Sequence, residues 1–273
     1  MKYKSAVAMI CCESETYIQE WCCFQYLTGF DKIIIGIDHK NRDSTLLKLQ
    51  GLPKHIVEKI DILLTIPGQF YFYHEVYRRY SRDIEWLACF DDDEYLYDIN
   101  RRKINDLLDT VNKDTDQISL PWASFGHNRK ITSATKKETR LETFTARDEL
   151  HGTSDVKPVF RMTGIDTNLE QWYDCHTVKV TGCTRYFDGN TVSMANTFQA
   201  KQIPTWDQSL IHYVSGSMED YIDKAKKWTG SNHRMDDRHA GWYESFLRLD
   251  YPIQDNRMSI YSDELKNLLS QCQ

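Results

Sequence analysis

Four consecutive acidic side chains, Asp91-Asp92-Asp93-Glu94, stand directly behind the apolar run Trp86-Leu-Ala-Cys-Phe90. Carboxylates crowded in this way repel one another, and a cation relieves that repulsion most directly. In an extended stretch, residues two apart point to the same side. Asp91 and Asp93 therefore address one site together. Their hard oxygen donors suit Mg²⁺ or Mn²⁺, which also bridges the oxygens of a diphosphate. Such an ion neutralises charge that builds on a departing diphosphate. The plain alternative is a solvated acidic turn, and an Asp-x-Asp pair alone is a weak signal. Its position at the end of a hydrophobic strand favours the metal.

For those carboxylates to work together, the chain has to present them at the end of a sheet. The first half reads as alternating strands and helices. Ala6–Cys12 is an apolar run with the length of a buried strand, and Ser14 is placed to cap a helix behind it. Ile18, Trp21, Cys22 and Tyr26 recur at helical spacing up to Gly29. Lys32–Ile37 is a second strand and Leu46–Leu52 a short helix. Lys59–Thr65 is a third strand, Phe70–Ser81 a helix and Glu85–Phe90 a fourth strand. This alternation predicts an α/β fold with a mostly parallel central sheet, covered on both faces. Ligands of such sheets sit beyond the carboxyl ends of the strands. The polar segments Glu13–Glu15, Asp38–Thr45 and Asp91–Glu94 all fall there. In the second half, Gln117–Pro121, Leu141–Thr145, Val156–Met162, His176–Val180 and Ser209–Val214 read as strands or extended pieces. Ser217–Trp228 reads as a helix, with Ser217 as its cap and Asp220 three positions on.

With 273 residues, 41% of them hydrophobic, the chain has material for a substantial core. A net charge of −6 argues against a general nucleic-acid binder. No apolar run approaches the ~20 residues of a spanning helix, and Glu13 and Glu15 interrupt the N-terminal one. The eight cysteines contain no Cys-x-x-Cys pair, so buried thiols in a reducing cytoplasm are the expectation. The basic cluster Lys224-Lys226-Lys227 leaves peripheral contact with a membrane surface open.

Trp86-Leu-Ala-Cys-Phe-Asp-Asp-Asp-Glu-Tyr-Leu96 resembles the "WLAFIDxDEFL" stretch of family 2-like glycosyltransferases, in the branch related to family 92. Further similarities follow in that family's order. Tyr17-Ile-Gln-Glu-Trp21 with Gly29-Phe30-Asp31 is similar to "YLxEW…LGxD", and Asp38–Thr45 to "DNxSxDGT". Trp122-Ala-Ser-Phe-Gly-His127 is similar to "WxxFGxxGH", and Leu141-Glu-Thr-Phe144 to "IERF". Lys157-Pro-Val-Phe-Arg161 is similar to the extended piece that follows, and Ile211-His-Tyr213 to "NHY".

The resemblance implies a glycosyltransferase A-type nucleotide-binding sandwich. It implies a metal site at Asp91 and Asp93, closed by His212, and a nucleotide-diphosphate sugar as donor, with a UDP-sugar favoured. Cys12, Glu13, Asp38, Asp43 and Asp92 then belong to the donor site. Three departures stand out: Cys12-Glu13-Ser14 replaces Lys-Asn-Glu, His39 replaces an Asn, and Gly216-Ser217 replaces Lys-Ser. The last leaves Lys224 or Lys227 to supply a basic diphosphate contact.

Transfer with inversion to a hydroxyl of a glycan or glycolipid needs a general base. Glu142 and His176 are the candidates, with Asp174 and Asp207 as further ones. Trp122 and His127 are expected on the acceptor side, together with Phe125, Trp172 and Tyr173. The division expected is 1–116 for the nucleotide-sugar half, 117–230 for the acceptor half and 231–273 for a C-terminal extension. A metal-dependent phosphoryl- or nucleotidyl-transfer enzyme and a non-catalytic carbohydrate-binding protein are the rival readings.

Overall fold

The structure is a computed structural model and describes residues 1–11, 15–38, 42–52, 57–62, 68–134, 138–152, 154–166, 173–174, 176–227 and 242–272. Its first half runs β1 (Tyr3–Cys11), α1 (Ile18–Leu27), β2 (Lys32–Asp38), α2 (Arg42–Lys48), β3 (Val57–Ile62), α3 (Gly68–Tyr80) and β4 (Ile84–Cys89). β5 (Glu94–Asp98), α4 (Ile104–Asp109), β6 (Thr115–Phe125), α5 (Arg140–Thr143), β7 (Ala146–Arg147) and β8 (Ser154–Arg161) follow. Short strands β9 (Tyr173–Asp174), β10 (Thr177–Val178), β11 (Cys183–Arg185) and β12 (Gln199–Ala200) lead to β13 (Gln208–Tyr213) and α6 (Met218–Lys227). The chain closes with α7 (Trp242–Leu247), β14 (Ile253–Gln254) and α8 (Ser262–Gln271).

One large curled sheet organises these elements. Its spine has the order β3-β2-β1-β4-β8-β6. The first three pairings, β3 with β2, β2 with β1 and β1 with β4, are parallel. β8 is antiparallel to both β4 and β6, and β13 runs parallel to β6 and antiparallel to β5. The parallel expectation thus holds for the first half, and the second half is mixed. The chain steps outward from β1 to β3 and then returns to the other side of β1 as β4. The strand order therefore reverses between β1 and β4, and the space beyond their carboxyl ends is a ligand position by topology. Phe90 still bonds β1, its N–H reaching the Ala8 carbonyl at 3.2 Å. The acidic run starts at the next residue.

Burial explains why these strands form. Val7, Met9, Ile33, Ile35, Trp86 and Ala88 on one face of β1, β2 and β4 pack into the larger core with Trp21 and Phe24 of α1. Ala6, Ala8, Ile34 and Leu87 face the other way, onto Phe72, Tyr73 and Val76 of α3. Each Val, Ile, Leu, Met or Phe among them contributes about 1.5–3 kcal/mol when withdrawn from water. Gly36 is required where α3 crosses β2, because a Cβ there would meet the Phe72 ring at 2.7 Å.

Two local expectations change. Helix α2 starts at Arg42, earlier than Leu46, so part of the polar 38–45 segment is helical. Leu141–Thr145 was expected to be extended, but residues 140–143 are helical. The reason is a capping box, with the Thr139 and Glu142 side chains each meeting the other's backbone N–H. The box expected at Ser217 forms: Asp220 accepts from the Ser217 N–H at 2.9 Å, and the Ser217 hydroxyl accepts from the Asp220 N–H at 3.1 Å.

The sheet passes through the expected 116/117 boundary without a break, inside β6. The C-terminal segment supplies α8, which packs on α1 and brings Cys272 Sγ to 3.8 Å from Cys23 Sγ. Cys11, Cys22, Cys23, Cys89 and Cys272 are buried thiols outside any disulfide. Among the described residues, no helix is long and apolar enough to cross a membrane.

Candidate active site at the acidic run

The turn that carries Asp91, Asp92 and Asp93 is anchored by its fourth member. Glu94 is fully buried at the start of β5. Its carboxylate accepts the Asp91 N–H at 2.7 Å, and its carbonyl accepts from the Trp21 indole at 3.0 Å and the Gln25 amide at 3.2 Å. Burial pushes the Glu94 carboxyl well above the ordinary carboxylate range, against the pull of Lys157. Trp21 and Gln25 lie one helical turn apart on α1, so α1 holds the turn from behind.

The carboxylates of the run face different neighbours. Asp91 Oδ2 takes a 2.7 Å bond from Lys157 Nζ, and that ammonium also lies 3.5 Å from Glu94 Oε1. The second contact is an ion pair without hydrogen-bond alignment, since Glu94 Oε1 makes no hydrogen bond. Lys157 comes from β8 and its side chain is 1% exposed. Asp93 has a different partner. Its Oδ1 lies 3.6 Å from His212 Nε2, and its carbonyl accepts the Tyr213 N–H at 2.9 Å. β13, paired with β5 so that His212 lies opposite Glu94, carries His212 there.

The donors implied for a metal were Asp91, Asp93 and His212. Two of them, Asp93 and His212, face one another and have the right chemistry. His212 Nδ1 is buried and has no hydrogen-bond partner. The third, Asp91, is engaged by an ammonium. Among the described residues no three His, Cys, Asp or Glu side chains converge as a metal-holding group. The fit is therefore to a two-residue protein donor set, Asp93 with His212.

A shallow, open cleft lies on the Asp93 side. Tyr17, Asp92, Asp93, Arg140, Tyr213 and Asp220 are among its walls. Arg140, only 5% exposed, lays its guanidinium over the Tyr17 ring at 3.8 Å and donates from Nη1 to the Asp92 carbonyl at 2.9 Å. Tyr17 Oη in turn donates to Asp220 Oδ2 at 2.8 Å. Neither Arg140 nor Lys157 stood out as a charged group at the sequence level. The only signal was position: Arg140 stands one residue before the segment resembling "IERF", and Lys157 opens the piece that follows it.

A second group lies beside His212. The Trp122 ring packs against His212 at 4.1 Å, tilted by 48°, and meets His176 edge-on at 5.0 Å. His176 Nδ1 lies 2.9 Å from the Val156 carbonyl, so Nδ1 carries the proton and Nε2 is the basic nitrogen. Burial, helped by Lys157, lowers its pKa, which keeps it neutral. Asp155 sits within the electrostatic reach of both histidines; burial raises its pKa and they pull it down.

The remaining expected residues are placed as follows. Glu142 caps α5 and accepts from Lys266 Nζ at 2.6 Å, away from the cleft walls. His127 is 2% exposed, stacks on Phe246 at 3.9 Å, accepts the Arg129 N–H at 3.0 Å and bonds the Phe246 carbonyl at 3.1 Å. Both of its nitrogens thus serve the packing of α7, and the structure does not bring it to Asp93. Asp43 is on α2, fully exposed and 3.7 Å from Arg42. Asp207 precedes β13, where its carbonyl accepts the Ile99 N–H. Cys12, Glu13 and Trp172 lie outside the described residues, as do the side chains of Asp38, Asp174 and Lys224.

No family model and no curated protein matches the chain. Among solved structures it is similar to 4-diphosphocytidyl-2C-methyl-D-erythritol synthase from Anaerococcus prevotii DSM 20548. That likeness has 10% identity and a TM-score of 0.31, over 59% of this chain and 71% of that one. It is also similar to S. aureus TarS, with 14% identity and a TM-score of 0.39, over 92% of this chain and 44% of that one. Against TarS 1–349 the identity is 12% and the TM-score 0.41, over 89% and 70% of the two chains. The chain thus spans less than half of full TarS. At such scores neither a shared activity nor a shared substrate follows from the likeness.

Proposed function

We propose that the protein is a nucleotide-sugar-dependent glycosyltransferase of the glycosyltransferase A type, with its donor diphosphate in the cleft beside Asp93. The observation that carries this reading is the meeting of Asp93 and His212, 119 residues apart in numbering, at the sheet's strand-order reversal. That is where an α/β sheet places a ligand. Asp93 and His212 would hold Mn²⁺ or Mg²⁺. Once bound, such an ion supplies charge neutralisation for a departing nucleoside diphosphate.

The chain's own groups account for the rest. Glu94, Trp21 and Gln25 fix the turn, so Asp93 needs little reorganisation on binding. Trp122 offers a flat apolar ring between the two histidines for the face of an acceptor sugar. His176 is assigned as the general base, because its Nε2 is basic at neutral pH and its ring is oriented by Val156 and Trp122. Glu142 is the weaker assignment, since Thr139 and Lys266 engage its carboxylate.

A screen of UDP-, GDP-, CDP- and dTDP-sugars with Mn²⁺, read as a melting-temperature shift, tests the reading. One donor should stabilise the protein, and Asp93→Asn and His212→Ala should remove the manganese-dependent part of the shift. His176→Ala should retain the shift and lose transfer. Release of pyrophosphate or monophosphate in place of nucleoside diphosphate would move the protein to nucleotidyl or phosphoryl transfer. No shift with any donor would refute the reading.

A further inference from the structure

Arg140 is a buried charge that feels Asp92 and Asp93 at a distance but, among the described residues, has no carboxylate in ion-pair contact. Its guanidinium has one hydrogen bond, to the Asp92 carbonyl at 2.9 Å, and Nε is buried with no partner. Aromatic faces surround it: Tyr17 at 3.8 Å, Tyr213 at 5.8 Å and Tyr95 at 5.9 Å. Among the described residues no carboxylate forms an ion pair with it. Glu20 is near, but both of its oxygens are directed to the Arg140 backbone N–H, at 3.1 Å each. Desolvating a guanidinium in this way is unfavourable unless an anion completes it, and a planar fork of N–H donors matches phosphate oxygens.

Among the described residues, the guanidinium is also the only cationic side chain in the walls of the cleft, against Asp92, Asp93, Asp220 and Asp223. Nor can residue 216 add one: Gly216 has φ +61°, and a Cβ there would meet Asp220 Oδ2 at 2.7 Å. Four carboxylates repel a bare anion, so an anionic ligand enters only together with a divalent cation.

We infer that Arg140 is the diphosphate-binding residue of this cleft, gripping the pyrophosphate group of a nucleoside diphosphate that arrives as its metal complex. The inference rests on the nucleotide-sugar reading and deepens it. Charge-assisted hydrogen bonds to phosphate favour two linked phosphoryl groups over one, because a second group extends the contact across the fork.

The test is calorimetric titration of the whole chain, in excess Mg²⁺, with inorganic pyrophosphate, inorganic phosphate, UDP, GDP, CDP and dTDP. The wild type should bind pyrophosphate and one nucleoside diphosphate, both more tightly than phosphate. Arg140→Gln should weaken both by about ten-fold or more, the loss of one charged hydrogen-bond set. Arg140→Lys, which retains the charge without the fork, should fall between. Its melting curve controls for folding, because a scaffold defect would lower the melting temperature without erasing the preference for pyrophosphate over phosphate. Equal binding by wild type and Arg140→Gln overturns the assignment and leaves the nucleotide reading standing. Arg140-dependent pyrophosphate binding without any nucleotide binding refutes the nucleotide reading and leaves the anion subsite. No binding of any probe overturns both.

Discussion

The two buried cations beside the acidic run are opposites. Under the turn, Lys157 is held between Asp91 and Glu94 at 2.7 and 3.5 Å, and its charge is spent on the fold. In the cleft wall, Arg140 has tyrosine rings and one carbonyl for company. A paired buried ion is part of the scaffold, because removing either member leaves the other uncompensated. An unpaired one is a site, because its best partner is still to come. On the proposed reading, one run of four carboxylates has two roles, a structural one at Asp91 and Glu94 and a ligand one at Asp92 and Asp93.

The sharpest way to break this contrast is to remove both cations in turn. Lys157→Met should destabilise the protein by about 3 kcal/mol, near the lower end for a broken buried pair, since Glu94 can neutralise itself by taking up a proton. Arg140→Met should change stability by less than about 1 kcal/mol, because the lost carbonyl bond and ring contact are offset by removal of an unpaired charge. Urea denaturation of the two variants gives both numbers. Similar losses in the two would mean that Arg140 is as much a scaffold residue as Lys157.

A somewhat smaller effect comes from the carboxyl behind Arg140. Burial pushes Glu20 up from 4.5 to about 7, with the Arg140 charge and backbone pulling it back. The folded state therefore binds more protons than the unfolded chain between those two values. Stability falls as pH rises through that window and levels off above it. The loss is at most about 3 kcal/mol, from roughly 1.4 kcal/mol per pKa unit. Denaturation of wild type and Glu20→Gln at pH 5 and pH 7.5 should show the variant losing less across the interval. A parallel pH dependence in the two would show that Glu20 is ionised in both states, and then Arg140 would have a counter-ion after all.

Much of the frame was legible before any coordinates. The period of the apolar residues located β1, α1, β2 and β4, because their burial is continuous and their pattern answers to one core. The acidic run was legible for the same reason, standing directly behind the apolar run Trp86–Phe90. What the sequence could not tell was direction. Asp91 and Asp93 share a side in an ideal strand, but residues 91–93 form a turn outside β4 and β5, and there the two-residue alternation no longer applies. Arg140 and Lys157 escaped notice because their partners are 48 and 66 positions away, a separation that no local pattern encodes. His127 and Glu142 were singled out because they lie in segments resembling the family's acceptor half, while the polar ends of both are spent on local packing.

That last point carries the smallest prediction. The helix at residues 140–143 is a single turn, too short to persist alone, and so its capping box decides its conformation. The box sets the direction of the Arg140 side chain by fixing its backbone N–H on Glu20. Thr139→Ala removes the hydroxyl but leaves Glu142 on Lys266, and should destabilise the protein by about 1 kcal/mol. If Arg140 is a ligand-side residue, Mg-pyrophosphate binding should weaken along with it, by a few-fold, with no change at Asp91 or Lys157. A loss of stability without any loss of binding would separate the cap from the cleft wall, and would show that Tyr17 and the Asp92 carbonyl alone hold the guanidinium in place.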